Sequence, residues 1–303
     1  MNFAKPAKSK SGKYLFCYFV GNEPDEERIH FAVSEDGYNF VALNKNQPII
    51  LQTKGKKCVR DPYIFKGQDD FYYIIGTDMK STEGWTSNHA LITWKSKDLI
   101  NWIDETIIDI RDFEGEFAET TRAWAPQAIW DKKEQQYMIY WAHSTVDNDV
   151  AGMYYAHSSD MKTMTEPKPL YIRDNIQTID GDIAFNKEND MYYLYFKHDE
   201  DQTIAYVKSK NLIGPYKDEP VVISLAKTGV EGSEIYNITG TNQWVMVMDE
   251  YGTDKFFMQQ TNDFENFKPV KAEDYSMEFF PRHGSVVAIT DDEYKALVEK
   301  YGK

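Results

Sequence analysis

Three short clusters place carboxylates directly ahead of apolar, strand-like residues. They are Arg60-Asp61-Pro62 before Tyr63-Ile64-Phe65, Ile179-Asp180-Gly181-Asp182 before Ile183-Ala184-Phe185, and Val230-Glu231-Gly232-Ser233 before Ile235-Tyr236. Two further clusters share the form without an acid: Trp124-Ala125-Pro126-Gln127 before Ala128-Ile129-Trp130, and Pro281-Arg282-His283-Gly284 before Val286-Val287. Carboxylates delivered to one pocket from separate elements suit the cleavage of glycosidic bonds, where one activates water and another protonates the departing oxygen. Asp61, Asp180 and Glu231 are the candidates, with Asp182 and Glu234 as neighbours that compete for the inward position.

For five clusters to converge, the elements behind them must repeat. Each of four openings is followed by an aromatic strand: Phe71-Tyr72-Tyr73-Ile74-Ile75, Tyr137-Met138-Ile139-Tyr140-Trp141, Tyr192-Tyr193-Leu194-Tyr195-Phe196 and Trp244-Val245-Met246-Val247-Met248. Such β-branched and aromatic residues fit a pleated, half-buried surface. A third strand then ends at a polar turn, as in Ala90-Leu91-Ile92-Thr93-Trp94 before Ser96-Lys97-Asp98, and Trp102, Met164, Tyr216 and Phe267 close the units. A period of roughly 50 to 65 residues without helical periodicity predicts an all-β propeller of stacked blades. The innermost strand of each blade lines the channel, so the openings meet in one funnel.

The chain ends complete one another. Tyr14–Phe19 and Ile29–Val33 form strands with no opening before them, whereas Arg282–Ile289 is an opening with no blade after it. Pairing the last strand with the first blade gives five blades and removes two exposed sheet edges. The expectation is one catalytic domain over residues 1–303.

Composition narrows the partners. A net charge of −15 disfavours nucleic acid and anionic membranes. No run approaches the roughly 20 apolar residues of a membrane span, and residues 1–13 lack the apolar segment of a signal peptide, so the sequence as it stands reads as cytoplasmic. A chain trimmed of its leader would read as secreted or periplasmic. The two cysteines, Cys17 and Cys58, form no disulfide framework and no metal spacing. His30, His143, His157 and His198 share no spacing and read as packing or surface residues.

The five openings, in this order, resemble those of glycoside hydrolase family 43, over essentially the whole chain. The resemblance implies a five-bladed propeller that hydrolyses arabinofuranosides, xylosides and related sugars with inversion. It implies that Asp61 is the general base, Glu231 the general acid, and Asp180 the aspartate that orients the acid and raises its pKa. It also implies that His283 lies near the axis, where many members hold calcium or its waters. No cofactor is otherwise expected, and any ion here is expected to be held weakly through water.

Other residues are expected to shape the sugar subsite: Trp124 as an apolar face, Gln127 as an amide toward hydroxyls, Arg282 as a partner for a catalytic carboxylate, and Trp85 and Asn88 at the rim. Gln127 departs from the acidic or Asn-like residue often found there in the family. The expected partner is a neutral oligosaccharide or glycoside, with α-L-arabinofuranose ranked first on the resemblance, then galactofuranose, then xylose. A non-catalytic sugar-binding propeller and a phosphorolytic enzyme using Arg60, Arg122 and Arg282 are the alternatives.

Overall fold

The computed structural model describes residues 12–227, 229–253 and 255–302. It is a five-bladed propeller of antiparallel sheets. The second blade comprises β4 (Val59–Lys66), β5 (Tyr72–Asp78), β6 (Ala90–Ser96) and β7 (Trp102–Asp109), counted from the axis outward. The third holds β8 (Thr120–Asp131), β9 (Gln136–Thr145), β10 (Gly152–Ser158) and β11 (Lys168–Tyr171). In the fourth are β12 (Thr178–Asn186), β13 (Met191–His198), β14 (Thr203–Ser209) and β15 (Val221–Val222). The fifth has β16 (Glu231–Asn237), β17 (Trp244–Glu250), β18 (Lys255–Thr261) and β19 (Lys268–Pro269).

The first blade is built from both ends of the chain. Its β1 (Lys13–Tyr18), β2 (His30–Ser34) and β3 (Asn39–Ala42) are flanked by β20 (Ser276–Met277) outside and β21 (Gly284–Ile289) inside. β21 pairs antiparallel with β1, from Lys13 opposite Ile289 to Tyr18 opposite Gly284, which is the expected closure. β20 was not foreseen; it lies parallel to β3, with Ser276 opposite Asn39. Residues 278–283 therefore cross the first blade from rim to axis, and Phe279 stacks on Tyr18 at 4.9 Å between ring centroids. A final helix, α1 (Asp291–Tyr301), starts at a Thr290–Glu293 capping box and buries Leu297 against the first and second blades.

Packing follows the alternation of each strand. Among the described residues, one apolar cluster fills each of the five interfaces between neighbouring blades. Innermost strands have no strand on their axial side, so backbone N–H groups there need other partners. Side chains supply them from one blade to the next. Ser285 accepts from Ile64 N–H at 2.6 Å, Asp182 from Ile235 N–H at 2.7 Å and Glu234 from Val286 N–H at 3.1 Å. The Tyr140 hydroxyl accepts from Ile183 N–H at 2.9 Å and itself donates to Gln127 at 2.6 Å.

One local device recurs above this girdle. The inner strands of blades two to five carry a bulge at the opening: between Arg60 and Tyr63, Trp124 and Gln127, Ile179 and Asp182, and Glu231 and Glu234. Its second residue is left-handed each time, with φ of 49° at Asp61, 46° at Ala125, 55° at Asp180 and 58° at Gly232. A bulge breaks the strand's alternation and re-aims the side chain it carries. Here it aims two aspartates at the channel mouth.

Candidate active site

The openings surround a pocket of about 240 Å³ at the start of the inner strands. Asp61, Asp180 and Glu231 reach it from the second, fourth and fifth blades, and Arg282 and His283 from the strap over the first. Phe19, Trp85, Trp124 and Ile179 give it apolar walls. Gln177 and Lys197 add polar ends.

His283 sits between the two aspartates, its Nδ1 at 3.5 Å from Asp61 Oδ1 and 3.9 Å from Asp180 Oδ1. Gly232 makes room for that ring. A Cβ on Gly232 would stand 2.5 Å from His283 Cγ. Asp61 also accepts a hydrogen bond from Thr77 at 2.9 Å, and Asp180 accepts one from Gly232 N–H at 2.9 Å. Glu231 receives a cation on each oxygen: Lys197 Nζ at 3.0 Å on Oε2 and Arg282 Nη2 at 3.1 Å on Oε1. Arg282 is shared with Asp249 through its Nε, and Lys197 lies over the Tyr251 ring at 4.6 Å.

These surroundings separate the carboxyls. Burial pushes Asp61 up, but His283, Arg60 and the Thr77 hydroxyl outweigh it and hold Asp61 below the ordinary carboxylate range. Asp180 goes the other way. Burial raises it to about 6, with Glu231 and Asp61 adding to the rise and His283 opposing it. Burial lowers His283, yet Asp61 and Asp180 more than compensate and bring it to about 9, so it is an imidazolium at neutral pH. Burial carries Asp249 up to about 6 even against Arg282.

Of the residues singled out from the sequence, Asp61, Asp180, Glu231, Trp85, Trp124, Arg282 and His283 line the pocket. Gln127 and Asn88 require correction as sugar contacts. Gln127 is buried one layer down in the girdle beside Tyr140. Asn88 is fully buried, its amide bridging the carbonyls of Asp78 and Ala90 while its oxygen takes Ala123 N–H. Asp182 and Glu234, the competitors of Asp180 and Glu231, also belong to the girdle. Lys197, Thr77 and Asp249 went unnoticed. Each lies opposite the first residue of an opening, Ile179, Arg60 and Glu231 respectively, on the second strand of its blade. The signal was a polar residue where an apolar strand passes the bulge. His30, His143, His157 and His198 lie outside the pocket lining.

The calcium implied near His283 was tested against the donors present. Nδ1 of His283 faces two carboxylates and carries a proton, and a protonated imidazole does not ligate a metal. Among the described residues no three His, Cys, Asp or Glu side chains are grouped to hold an ion. His283 does not fit as a direct ligand. No helix of the described residues is long and apolar enough to cross a membrane.

A five-bladed propeller with acids from three blades in one axial pocket has the architecture of the glycoside hydrolases that act on furanosides and xylosides. Residues 10–295 match the family described as a probable glycosyl hydrolase domain, related to glycoside hydrolase family 43. The chain belongs to that family and is a glycoside hydrolase. Solved structures share the fold at low identity. The catalytic domain of the Coprinopsis cinerea family 62 α-L-arabinofuranosidase aligns with a TM-score of 0.55 and 14% identity, over 74% of this chain and 70% of that one. A Xanthomonas citri family 43 enzyme complexed with xylose gives 0.57 and 12%, over 74% and 76%. A thermostable family 43 glycoside hydrolase gives 0.56 and 17%, over 75% and 78%. No curated protein matches the sequence.

Proposed function

We propose that the protein is an exo-acting, inverting glycosidase that removes a terminal α-L-arabinofuranose from oligo- or polysaccharides. The convergence of Asp61, Asp180 and Glu231 on one small pocket carries this reading. Asp61, held ionised, takes the proton of the attacking water. Glu231, on another blade, protonates the leaving oxygen. Around Glu231 the signs oppose: Lys197 and Arg282 favour its carboxylate, while the charge of Asp180 favours its acid form. The acid thus has both an incentive to give its proton and a neighbour that helps restore it. Family likeness alone ranks arabinofuranose above galactofuranose and xylose.

Phosphorolysis is less well supported, because its three candidate cations are already paired. Arg60 binds Glu27 at 3.1 Å, Arg122 binds Asp149 at 2.7 Å, and Arg282 binds Glu231 and Asp249.

The test is a panel of 4-nitrophenyl α-L-arabinofuranoside, β-D-galactofuranoside and β-D-xyloside, with NMR of the first-formed anomer. Hydrolysis of the arabinofuranoside with inversion is expected. Asp61→Ala should abolish turnover of every substrate. Glu231→Ala should keep much of the nitrophenyl rate but lose that on unactivated oligosaccharides, since a good leaving group needs little protonation. A retained anomer, or no turnover of any sugar, would overturn the reading; turnover that requires phosphate would establish the phosphorylase.

A further inference from the structure

A second, smaller cleft opens on the same end of the propeller, further from the axis. Its lining includes Ser144 and Thr145 at the end of β9, Asn148 in the following turn, Gly152 and Tyr154 on β10, and Ile172 beyond β11. Strands β9 and β11 finish, and β10 begins, on the face where the inner strands open, so both hollows look out the same way. Side-chain contacts connect them. Trp124 lines the axial pocket, the Arg122 guanidinium lies over its ring at 4.9 Å, and Arg122 Nη1 reaches the Ser144 hydroxyl at 3.4 Å in the second cleft. Tyr154 is two strands out from β8, roughly 10 Å at the usual strand spacing.

The lining has the chemistry that recognises sugar: a half-exposed aromatic ring, two hydroxyls, an amide and one carboxylate. The Tyr154 ring is braced edge-on by His143 at 4.7 Å and Phe117 at 5.9 Å, and its hydroxyl reaches Glu116 at 3.5 Å. Ile172, 47% exposed, supplies an apolar margin. Along the connecting wall, Arg122 Nε and Trp124 Nε1 are buried N–H donors without a protein acceptor. A bridge of this kind does not rest on a single surface residue.

We infer that this cleft is a distal subsite for the part of the substrate that is released, so that an oligosaccharide enters the axial pocket by its terminal sugar and runs outward across the third blade. The inference rests on the glycosidase reading and refines it, making a carbohydrate chain, rather than a small aglycone, the substrate.

Binding reads this independently of turnover. Asp61→Asn protein, which keeps the pocket's shape, is titrated calorimetrically with arabinose and with arabino-oligosaccharides of increasing length. Affinity should rise at least tenfold once the chain is long enough to reach the cleft. Ile172→Trp, which fills the cleft from an exposed position, and Tyr154→Ala, which removes the ring, should each abolish that gain. In the catalytically intact protein the same two substitutions should leave 4-nitrophenyl arabinofuranoside hydrolysis within twofold. Length-independent affinity, or a length gain that survives both substitutions, overturns the subsite. Length-dependent binding in a protein that hydrolyses nothing would support the subsite while defeating the glycosidase reading.

Discussion

Asp61 remains a base while buried because His283 stands beside it, and the two must be treated as a unit. His283→Gln removes the charge that holds the Asp61 carboxyl down, leaving burial to raise it. The base then protonates at higher pH, so the acidic limb of the pH–rate profile should move upward, with the basic limb less affected. A limb that stays in place would mean Asp61 is not the base. The deeper carboxyls yield a different test. Burial raises Asp182 to about 7, and both burial and Asp182 carry Glu234 well above its usual range. A raised pKa means the native state prefers the proton: that stability is fully present below the unfolded value of 3.8 and is lost as pH rises through about 7. Asp182→Asn keeps an acceptor for Ile235 N–H without titrating. Its melting temperature relative to wild type should climb between pH 4 and pH 7, and parallel melting curves across that range would contradict the account. At this scale the sequence was readable where a motif marked the residue. Asp61, Asp180 and Glu231 were visible because each interrupts an apolar run. Lys197 was not, because its partner Glu231 is 34 positions away and only the ring of blades joins them. Asn88 misled for the opposite reason: a polar residue in a loop looks like a contact, but this one is saturated by three backbone groups.

The bulge is the element that converts a repeated strand into a site. A regular strand would point the second residue of each opening along its own alternation. The left-handed turn instead brings Asp61, Ala125, Asp180 and Gly232 to one level, and the sequence can then vary the chemistry blade by blade. Only Gly232 has lost its side chain, and the His283 ring occupies that space. Gly232→Ala should cost about 1–2 kcal/mol from the left-handed backbone alone, and should displace His283 as well. The expected result is a kcat loss far larger than the modest fall in melting temperature accounts for; loss of both in proportion would assign Gly232 to folding only. Bulges were hidden in the sequence, since Arg60-Asp61-Pro62 reads equally well as a loop ahead of a strand. The strands themselves were legible from aromatic alternation, and so was the pairing of β21 with β1. The two-residue β20 was not, because Ser276-Met277 is too short for any pattern and is fixed only by the neighbouring β3.

At the scale of the molecule, the last quarter of the first blade's sheet comes from each end of its width: β20 on the outside, β21 on the inside, and the strap between them carrying Arg282 and His283. Removing residues after Ile289 takes away α1, with its buried Leu297 and the Glu293 contact to the Tyr72 hydroxyl at 2.9 Å, but leaves the ring closed. That truncation should lower the melting temperature while leaving turnover per folded molecule unchanged. Truncation before Ser276 removes two strands of one blade and two residues of the site, and should leave no cooperative unfolding transition in calorimetry. Equal behaviour of the two truncations would show that the strap does not close the ring. The arrangement also orders events in time. During synthesis, the base, the acid and their aspartate neighbour all leave the ribosome well before Arg282 and His283, and the first blade waits for strands not yet made. A nascent chain can stack its middle blades, yet it holds no assembled catalytic centre until translation is nearly finished, so hydrolytic activity becomes a report on the completeness of the polypeptide itself.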